Sequence, residues 1–114
     1  MKRAKPKKLS EAQLLLGVHL EELGFREIAY EYRFNADRKW RADICAIAPT
    51  VWRGHTLFEC DGGKFHGGHR RGLALEADYE RQNWALANGY AIYRFTNEQV
   101  LKGQAKAWIQ EHLL

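Results

Sequence analysis

Two short apolar segments of the chain carry acids where a buried strand usually has none. They read Arg-Ala-Asp-Ile-Cys-Ala-Ile at 41–47 and Leu-Phe-Glu-Cys-Asp-Gly-Gly at 57–63. If they form a hairpin about Val51, Asp43 faces Glu59. Cross-strand Cβ atoms lie about 5 Å apart, and two unit charges about 4 Å apart repel by roughly 4 kcal/mol at an effective dielectric near 20. A positive charge must lie between these acids, and we predict a divalent metal ion.

The predicted metal site indicates a class of chemistry. Asp61 follows Glu59 by two residues and points to the same side of the strand. Magnesium prefers carboxylate oxygen atoms, and a metal held by strand carboxylates beside basic clusters is typical of phosphodiester hydrolysis. In an alternative arrangement, Arg41 pairs with Asp61 while Asp43 and Glu59 are exposed at a sheet edge. The apolar neighbours of the acids weigh against that alternative, because unpaired charge is costly among them.

A zinc site is a second alternative. Its ligands would be Cys60, His66 and His69, with His55 as a distant fourth. Their spacing matches no compact zinc knuckle, and Cys60 would face away from the acids.

The basic residues are concentrated in one place. The net charge is +4, and five of the eighteen Lys and Arg residues lie in the first eight positions: Lys2, Arg3, Lys5, Lys7 and Lys8. The remainder carries thirteen bases against fourteen acids. We therefore predict a flexible basic tail at 1–9, attracted to a polyanion, and one domain at 10–114.

The two cysteines and the absence of a long apolar run bear on where in the cell the protein is expected. Cys45 and Cys60 face opposite sides in the predicted hairpin, which favours free thiols and a reducing compartment. No apolar run approaches the roughly 18 residues that span a bilayer, and no signal-peptide segment is evident. We expect a soluble cytoplasmic protein of a bacterial cell or a phage-infected host, without membrane contact or a small-molecule cofactor.

The apolar periodicity predicts an α/β domain. The Ser10 and Gln13 capping box starts a helix at 11–23 that Gly24 ends. Then follow strands at 27–34, 40–48 and 55–61, a mobile glycine-rich loop at 62–72, a helix at 73–88 stopped by Gly89, a strand at 90–95, and one last helix capped by Thr96 or Asn97.

Both faces of the predicted hairpin are largely apolar. One face carries Ala42, Ile44, Ala46, Phe58 and Cys60, and the other carries Cys45, Ile47 and Leu57 beside the acids. A sheet buried on both sides needs helices on both sides, which predicts a sandwich of a mixed central sheet between helices.

The acids and the order of elements resemble a known superfamily. Asp43 and Glu59 lie in a hairpin after a first helix and strand. They are followed by Glu59-Cys60-Asp61-Gly62-Gly63, His69-Arg70-Arg71-Gly72, Asp78, Asn83, Gly89-Tyr90 and Arg94-Phe95-Thr96. From about Ser10 to Leu113 the chain resembles the PD-(D/E)XK nucleases, within them archaeal-type Holliday junction resolvases and related phage-encoded nucleases, and more distantly the very-short-patch repair endonucleases.

The resemblance implies a restriction-endonuclease-like core of order α-β-β-β-α-β-α. It also implies that Asp43, Glu59 and the backbone carbonyl of Cys60 bind a catalytic Mg²⁺, for which Mn²⁺ substitutes. Glu11 matches the acid that resolvases bring to that site from the first helix. A Glu in a first helical turn is also favoured by the helix dipole, and Glu31 on the first strand is a competing candidate.

One departure from the superfamily pattern matters. The superfamily usually has a Lys two residues after the second acid, and this chain has Asp61 there. Either Asp61 binds a second metal, or a nearby cation replaces that Lys: Lys64, His66 and His69 are within loop reach, and Arg81 reaches in from the following helix.

The predicted site thus has two sets of residues. The catalytic set is Glu11, Asp43, Glu59, Asp61 and Lys64. The predicted DNA contacts are Lys5, Lys7, Lys8, Arg38, Lys39, Arg41, His66, His69, Arg70, Arg71 and Arg81. No sequence-reading DNA-binding module is visible, so we expect recognition of DNA shape.

The leading hypothesis is a homodimeric, Mg²⁺-dependent endonuclease that resolves four-way DNA junctions, with the Trp52 loop or the last helix with Trp108 as dimer surfaces. Two alternatives stay open. One is a monomeric nicking or mismatch-repair endonuclease. The other is a DNA-binding module whose nuclease site has decayed, motivated by the missing Lys.

Overall fold

The computed structural model describes residues 8–50, 54–62 and 71–114, with the side chains of residues 71–74 excluded. The elements are α1 (Glu11–Glu22), β1 (Arg26–Arg33), β2 (Arg41–Ile47), β3 (His55–Asp61), α2 (Arg71–Ala87), β4 (Ala91–Thr96), α3 (Asn97–Leu101) and α4 (Gln104–Leu113). The four strands form one mixed sheet in the order β1-β2-β3-β4, in which only the pair β3 and β4 is parallel. The predicted α/β class and the succession of elements up to β4 are confirmed.

The register of the β2–β3 hairpin is the predicted one. Ile44 pairs with Phe58, and Ile47 pairs with His55. This register follows from alternation, since a slip of one residue would move every side chain to the other face. It also places Asp43 of β2 beside β3, where Oδ2 of its carboxylate accepts the backbone N–H of Cys60 at 2.7 Å.

Helices cover both faces of the sheet, as the two apolar faces of the hairpin predicted. On one face, Ile44 and Phe58 pack with Leu16 of α1 and with residues of α3 and α4. On the other face, Cys45 and Leu57 pack with Ala85 of α2. The sheet is therefore the middle layer of a sandwich, and α2 covers the face to which the acids belong.

The prediction for Ala42 was wrong. It was assigned to the face of Ile44, but it packs with Phe34, Cys45 and Leu57 on the α2 side. The reason is local: β1 ends at Arg33, opposite Arg41, so Phe34 lies beside the start of β2. There it joins an aromatic group with Trp40, Trp84 and Tyr90, whose ring centroids lie 5.9–6.3 Å from its own.

The prediction of one last helix was also wrong. Thr96 caps α3, its hydroxyl oxygen accepting the N–H of Gln99 at 3.0 Å, so the cap is Thr96 and not Asn97. Gly103 then has φ +78°, a left-handed conformation that glycine adopts without penalty. The helix stops there and restarts as α4, which lets α3 and α4 each pack against α1.

The capping predictions for the first two long helices are confirmed. Ser10 and Gln13 form the reciprocal capping box of α1. Gly89 follows α2 with φ +89°, and the N–H of Tyr90 bonds the carbonyl of Ala85 at 3.0 Å. This closure is a Schellman motif, and it directs the chain from α2 into β4.

Gly17 has a packing role that predicts an unusual mutational effect. A β-carbon at position 17 would lie 2.8 Å from Cζ of Tyr30 and nearer still to its hydroxyl oxygen. Gly→Ala in a helix normally stabilises by about 0.5–1 kcal/mol. Here we expect Gly17→Ala to lower the free energy of unfolding by about 1–3 kcal/mol, because the ring has to move. Urea unfolding measures the effect.

The control for that prediction is the same substitution without the ring. In a Tyr30→Ala background, Gly17→Ala should be neutral or stabilising. A destabilisation of equal size in both backgrounds would show that the contact with Tyr30 is not its cause.

Two further sequence predictions concern the cysteines and the helices. Cys45 and Cys60 are free thiols, as predicted. In the part of the chain that the structure describes, no helix is both long enough and apolar enough to span a membrane.

Candidate active site

Glu59 on β3 is a buried acid with two arginine partners. It is 5 % exposed, and Arg81 of α2 holds both of its oxygen atoms in a fork, with Nη1 to Oε2 at 2.5 Å and Nη2 to Oε1 at 2.6 Å. Arg94 lies opposite Glu59 in the parallel register of β3 and β4, with its Nε 3.6 Å from Oε1. The positive charge that the sequence requires beside this acid is supplied by arginine in the structure.

Two more acids complete the group. Asp78 accepts Nη2 of Arg81 at 3.0 Å through Oδ1 and Nη1 of Arg94 at 2.5 Å through Oδ2. Asp61 is 3.4 Å from Nη2 of Arg94. We call Glu59, Asp61, Asp78, Arg81 and Arg94 the acid–arginine cluster.

The cluster follows from simple placement rules. Glu59 and Asp61 are two residues apart on one strand and share a side of the sheet. Asp78 and Arg81 are three apart on α2 and share a helix face. The cluster therefore lies near the carboxyl ends of two parallel strands, under α2, which is where open α/β sheets commonly bind ligands.

The electrostatics of Asp78 show how tightly the cluster is coupled. Burial alone would raise its pKa, but hydrogen bonds and charges from Arg94 and Arg81 outweigh burial and hold the pKa below its ordinary value. Burial alone would lower the pKa of Arg81, but the hydrogen bonds that it donates to Glu59 and Asp78, and their charges, raise it. Both groups therefore remain charged at neutral pH.

The depressed pKa of Asp78 predicts an acid-sensitive contribution to stability. A carboxyl group whose folded pKa is lowered stabilises the fold fully above its unfolded pKa. That contribution is lost as the pH falls below 3.8, the ordinary value, through the folded pKa. We expect Asp78→Asn to flatten the acid limb of a plot of unfolding free energy against pH in that window. An unchanged limb in urea titrations would contradict the role given to Asp78.

Asp43 is held from two sides. Its carboxylate accepts the N–H of Cys60 at 2.7 Å, and its backbone carbonyl accepts the amide Nε2 of Gln13 at 3.0 Å. The same Nε2 donates to Glu31 Oε2 at 2.8 Å. Gln13 therefore ties α1 to β1 and to the acid-bearing end of β2.

Glu31 itself is strained. Its φ is +52°, a left-handed value that is uncommon for a residue other than glycine and costs of the order of 1–3 kcal/mol. Such strain persists only where the surroundings hold it, and here Gln13 bonds the side chain. Of the two candidates for an additional acid, Glu31 therefore lies with Gln13 and Asp43, whereas Glu11 is exposed in the first turn of α1.

The structure brings together only part of the predicted site. Glu59, Asp61 and Arg81 belong to the acid–arginine cluster, and Asp43 is joined to β3 beside them through the bond of its carboxylate with the N–H of Cys60. Arg38 lies over Trp40 at 4.6 Å and pairs with Glu80 at 2.7 Å. The other described basic candidates, Lys8, Lys39 and Arg41, are exposed. Outside the described residues lie Lys5, Lys7, Trp52, Lys64, His66, His69 and Arg70, and also the side chain of Arg71.

The zinc alternative gains no support. Burial first, and then the charges of Asp43, Asp61 and Glu59, raise the pKa of the Cys60 thiol to about 12, so without a metal ion it is protonated at neutral pH. His55 starts the strand five residues earlier, and at about 3.3 Å per residue that is roughly 17 Å away. Such a distance excludes His55 as a ligand of an ion bound by Cys60.

Three residues of the site were missed as site residues by sequence reasoning: Gln13, Asp78 and Arg94. Gln13 was recognised only as a capping residue. Asp78 and Arg94 were noted only within the resemblance. A signal was present, since Asp78 and Arg81 have helical i, i+3 spacing and Arg94 interrupts an apolar strand. Their convergence depends on the β3–β4 pairing, which the sequence pattern did not specify.

Comparisons of this chain with models of known protein families, with curated proteins and with solved structures found no match.

A divalent metal can be tested against this geometry. No three His, Cys, Asp or Glu residues among those described are arranged to hold a metal ion. Magnesium, however, is commonly bound by one or two carboxylates and keeps several waters. Asp43 and Glu59 supply such hard oxygen atoms from adjacent strands. Among the described residues, these two acids together with Asp61 and Asp78 carry four negative charges against the two positive charges of Arg81 and Arg94, an excess that a doubly charged cation would offset.

Proposed function

We propose that the chain is a divalent-metal-dependent endodeoxyribonuclease with a restriction-endonuclease-like core, acting on branched DNA in the cytoplasm as a homodimer. The observation that carries the proposal is Glu59, a 5 % exposed acid on a central strand that is bracketed by two arginines and precedes Cys60, whose N–H is bound by Asp43. An ionised acid is costly to bury unless it is paired with a positive charge or binds a metal ion.

The proposed roles use the described contacts. Asp43 and Glu59 would hold Mg²⁺ or Mn²⁺, and the ion would supply Lewis acidity at the scissile phosphate. Gln13 and the N–H of Cys60 keep Asp43 oriented. Arg81 and Arg94 carry forks that match the oxygen atoms of a phosphodiester as well as those of a carboxylate. Asp61 binds a second ion or holds Arg94.

Access to the site supports a large substrate. A cleft of about 490 Å³ borders Asp61 and Gly62 at the carboxyl ends of β3 and β4, with Asn97 and Lys102 on its other side. Asp61 is the member of the acid–arginine cluster that lines this cleft, so a DNA backbone lying there would meet the cluster at Asp61.

The dimer is proposed from symmetry and from one exposed ring. A four-way junction offers two equivalent strands, so a resolvase needs two active sites related by a two-fold axis. Trp108 on α4 is 40 % exposed although it packs on Tyr93 and Phe95. Its exposed face offers an aromatic surface for a contact between copies.

One observation favours a second candidate function, a DNA-binding module without nuclease activity. Arg81 occupies both oxygen atoms of Glu59, which is the arrangement expected where arginine has replaced a metal ion.

The experiment that separates these functions uses labelled DNA. We expect the protein with Mg²⁺ or Mn²⁺ to introduce symmetric nicks into a four-way junction and to leave linear duplex and single strands intact. Cutting by a monomer at mismatches would favour the repair endonuclease, and junction binding without any cut would favour the binding module. Binding of none of the three DNAs would refute the proposal.

A further inference from the structure

We propose that Arg81 is a gate at the metal site: its fork closes Glu59 to a divalent cation until a DNA phosphate draws the guanidinium away. This inference rests on the proposed function and adds to it an order of events. A phosphate bound to Arg81 would leave Glu59 open to the metal ion, and a metal ion bound to Glu59 would leave Arg81 open to the phosphate. Each ligand would therefore raise the affinity for the other.

Arg81 competes with a metal ion for Glu59. Arg81 contacts both carboxylate oxygens at 2.5 and 2.6 Å. The side chains are only 15 % and 7 % exposed, so little water screens a cation from the guanidinium. A metal ion at Glu59 meets both an occupied carboxylate and a like charge.

Arg81 has another partner on its own helix. Its Nη2 also donates to Asp78 at 3.0 Å, and Nη1 donates to the carbonyl of Arg41 at 3.2 Å. Arg81 can therefore leave Glu59 without losing every partner. A phosphodiester offers two oxygen atoms with the spacing that its fork already matches.

Arg94 is the second arginine of the acid–arginine cluster. It contacts Asp78, Asp61 and Glu59, so it holds three acids from β4. Of these three contacts, the one with Glu59 is the longest, at 3.6 Å. Arg94 can remain in place while Arg81 moves, which keeps Asp78 neutralised in both states.

The test uses two binding measurements with the full chain. Mn²⁺ affinity without DNA is measured by electron paramagnetic resonance for the wild type, Arg81→Lys and Arg81→Gln. Arg81→Lys keeps the charge and loses the fork, and Arg81→Gln loses both. We expect affinity to rise in that order, by at least about tenfold for Arg81→Gln, within the usual range of coupling between two sites.

The second measurement is junction binding without metal, followed by fluorescence anisotropy. Arg81→Lys should weaken it several-fold, the opposite sign to its effect on Mn²⁺. A merely structural role of Arg81 would make both affinities fall together. Arg26→Lys, an exposed arginine at the start of β1, is the matched control and should change neither. Circular dichroism verifies that each variant is folded. If Arg81→Gln does not fold, the two measurements on Arg81→Lys alone test the proposal.

The outcomes separate the two proposals. Unchanged or weaker Mn²⁺ binding by both Arg81 variants overturns the gate, even if the wild type cuts junctions. Opposite shifts in the two affinities support the gate, even if the wild type never cuts DNA and the nuclease proposal fails.

Discussion

Asp43→Asn is expected to reduce junction cutting by at least about 100-fold while junction binding stays within about twofold of the wild type. The variant keeps an oxygen that can accept the N–H of Cys60, a bond of 2.7 Å in the wild type. It removes the negative charge that the proposed metal requires. Single-turnover cutting of labelled junctions and anisotropy with the same DNA measure the two effects.

The matched control is Glu111→Gln, which removes one negative charge from a 77 % exposed side chain on α4. It should cut at the wild-type rate. If Asp43→Asn cuts equally well, Asp43 has no part in the mechanism, and a site built around Glu59 alone would have to explain the activity.

Arg81→Met is expected to lower the free energy of unfolding by about 3–5 kcal/mol, because it leaves Glu59 as a buried charge without its main partner. Chemical denaturation at neutral pH measures this loss. The double variant Glu59→Gln, Arg81→Met should be more stable than Arg81→Met, since it removes the stranded charge.

Lys102→Met is the control for that series. Lys102 forms a comparable pair with Glu98 at 2.6 Å, but the two side chains are 62 % and 70 % exposed. Such exposed pairs contribute little to stability, because water and salt screen the two charges. Equal losses for Arg81→Met and Lys102→Met would mean that burial of Glu59 adds nothing.

The sequence predicted much of the fold because its information is local. Alternation over 41–47 and 55–61 was enough to set the hairpin register, and the pairing of Ile44 with Phe58 confirms it. Capping residues predicted where α1 begins and where α2 ends. The break at Gly103 was missed because a single glycine in a helical pattern is often tolerated.

The candidate site was predictable only in part. The acids stood out because charge among apolar strand residues is unusual. The partners of Glu59 depend on a parallel strand pairing between residues 35 positions apart in the chain, which no local pattern encodes. The acids in the sequence require a nearby cation, for which a metal ion was predicted. The structure supplies two guanidinium groups beside Glu59, those of Arg81 and Arg94.

The pairing of Glu59 with Arg94 also bears on how the sheet assembles. If β4 docked one position out of alignment, Arg94 would point toward the opposite side, where Phe58 and Tyr93 pack. Glu59 would lose a neighbour at the same time. The pairing of Glu59 with Arg94 therefore favours the observed register of β4 over one shifted by a single residue.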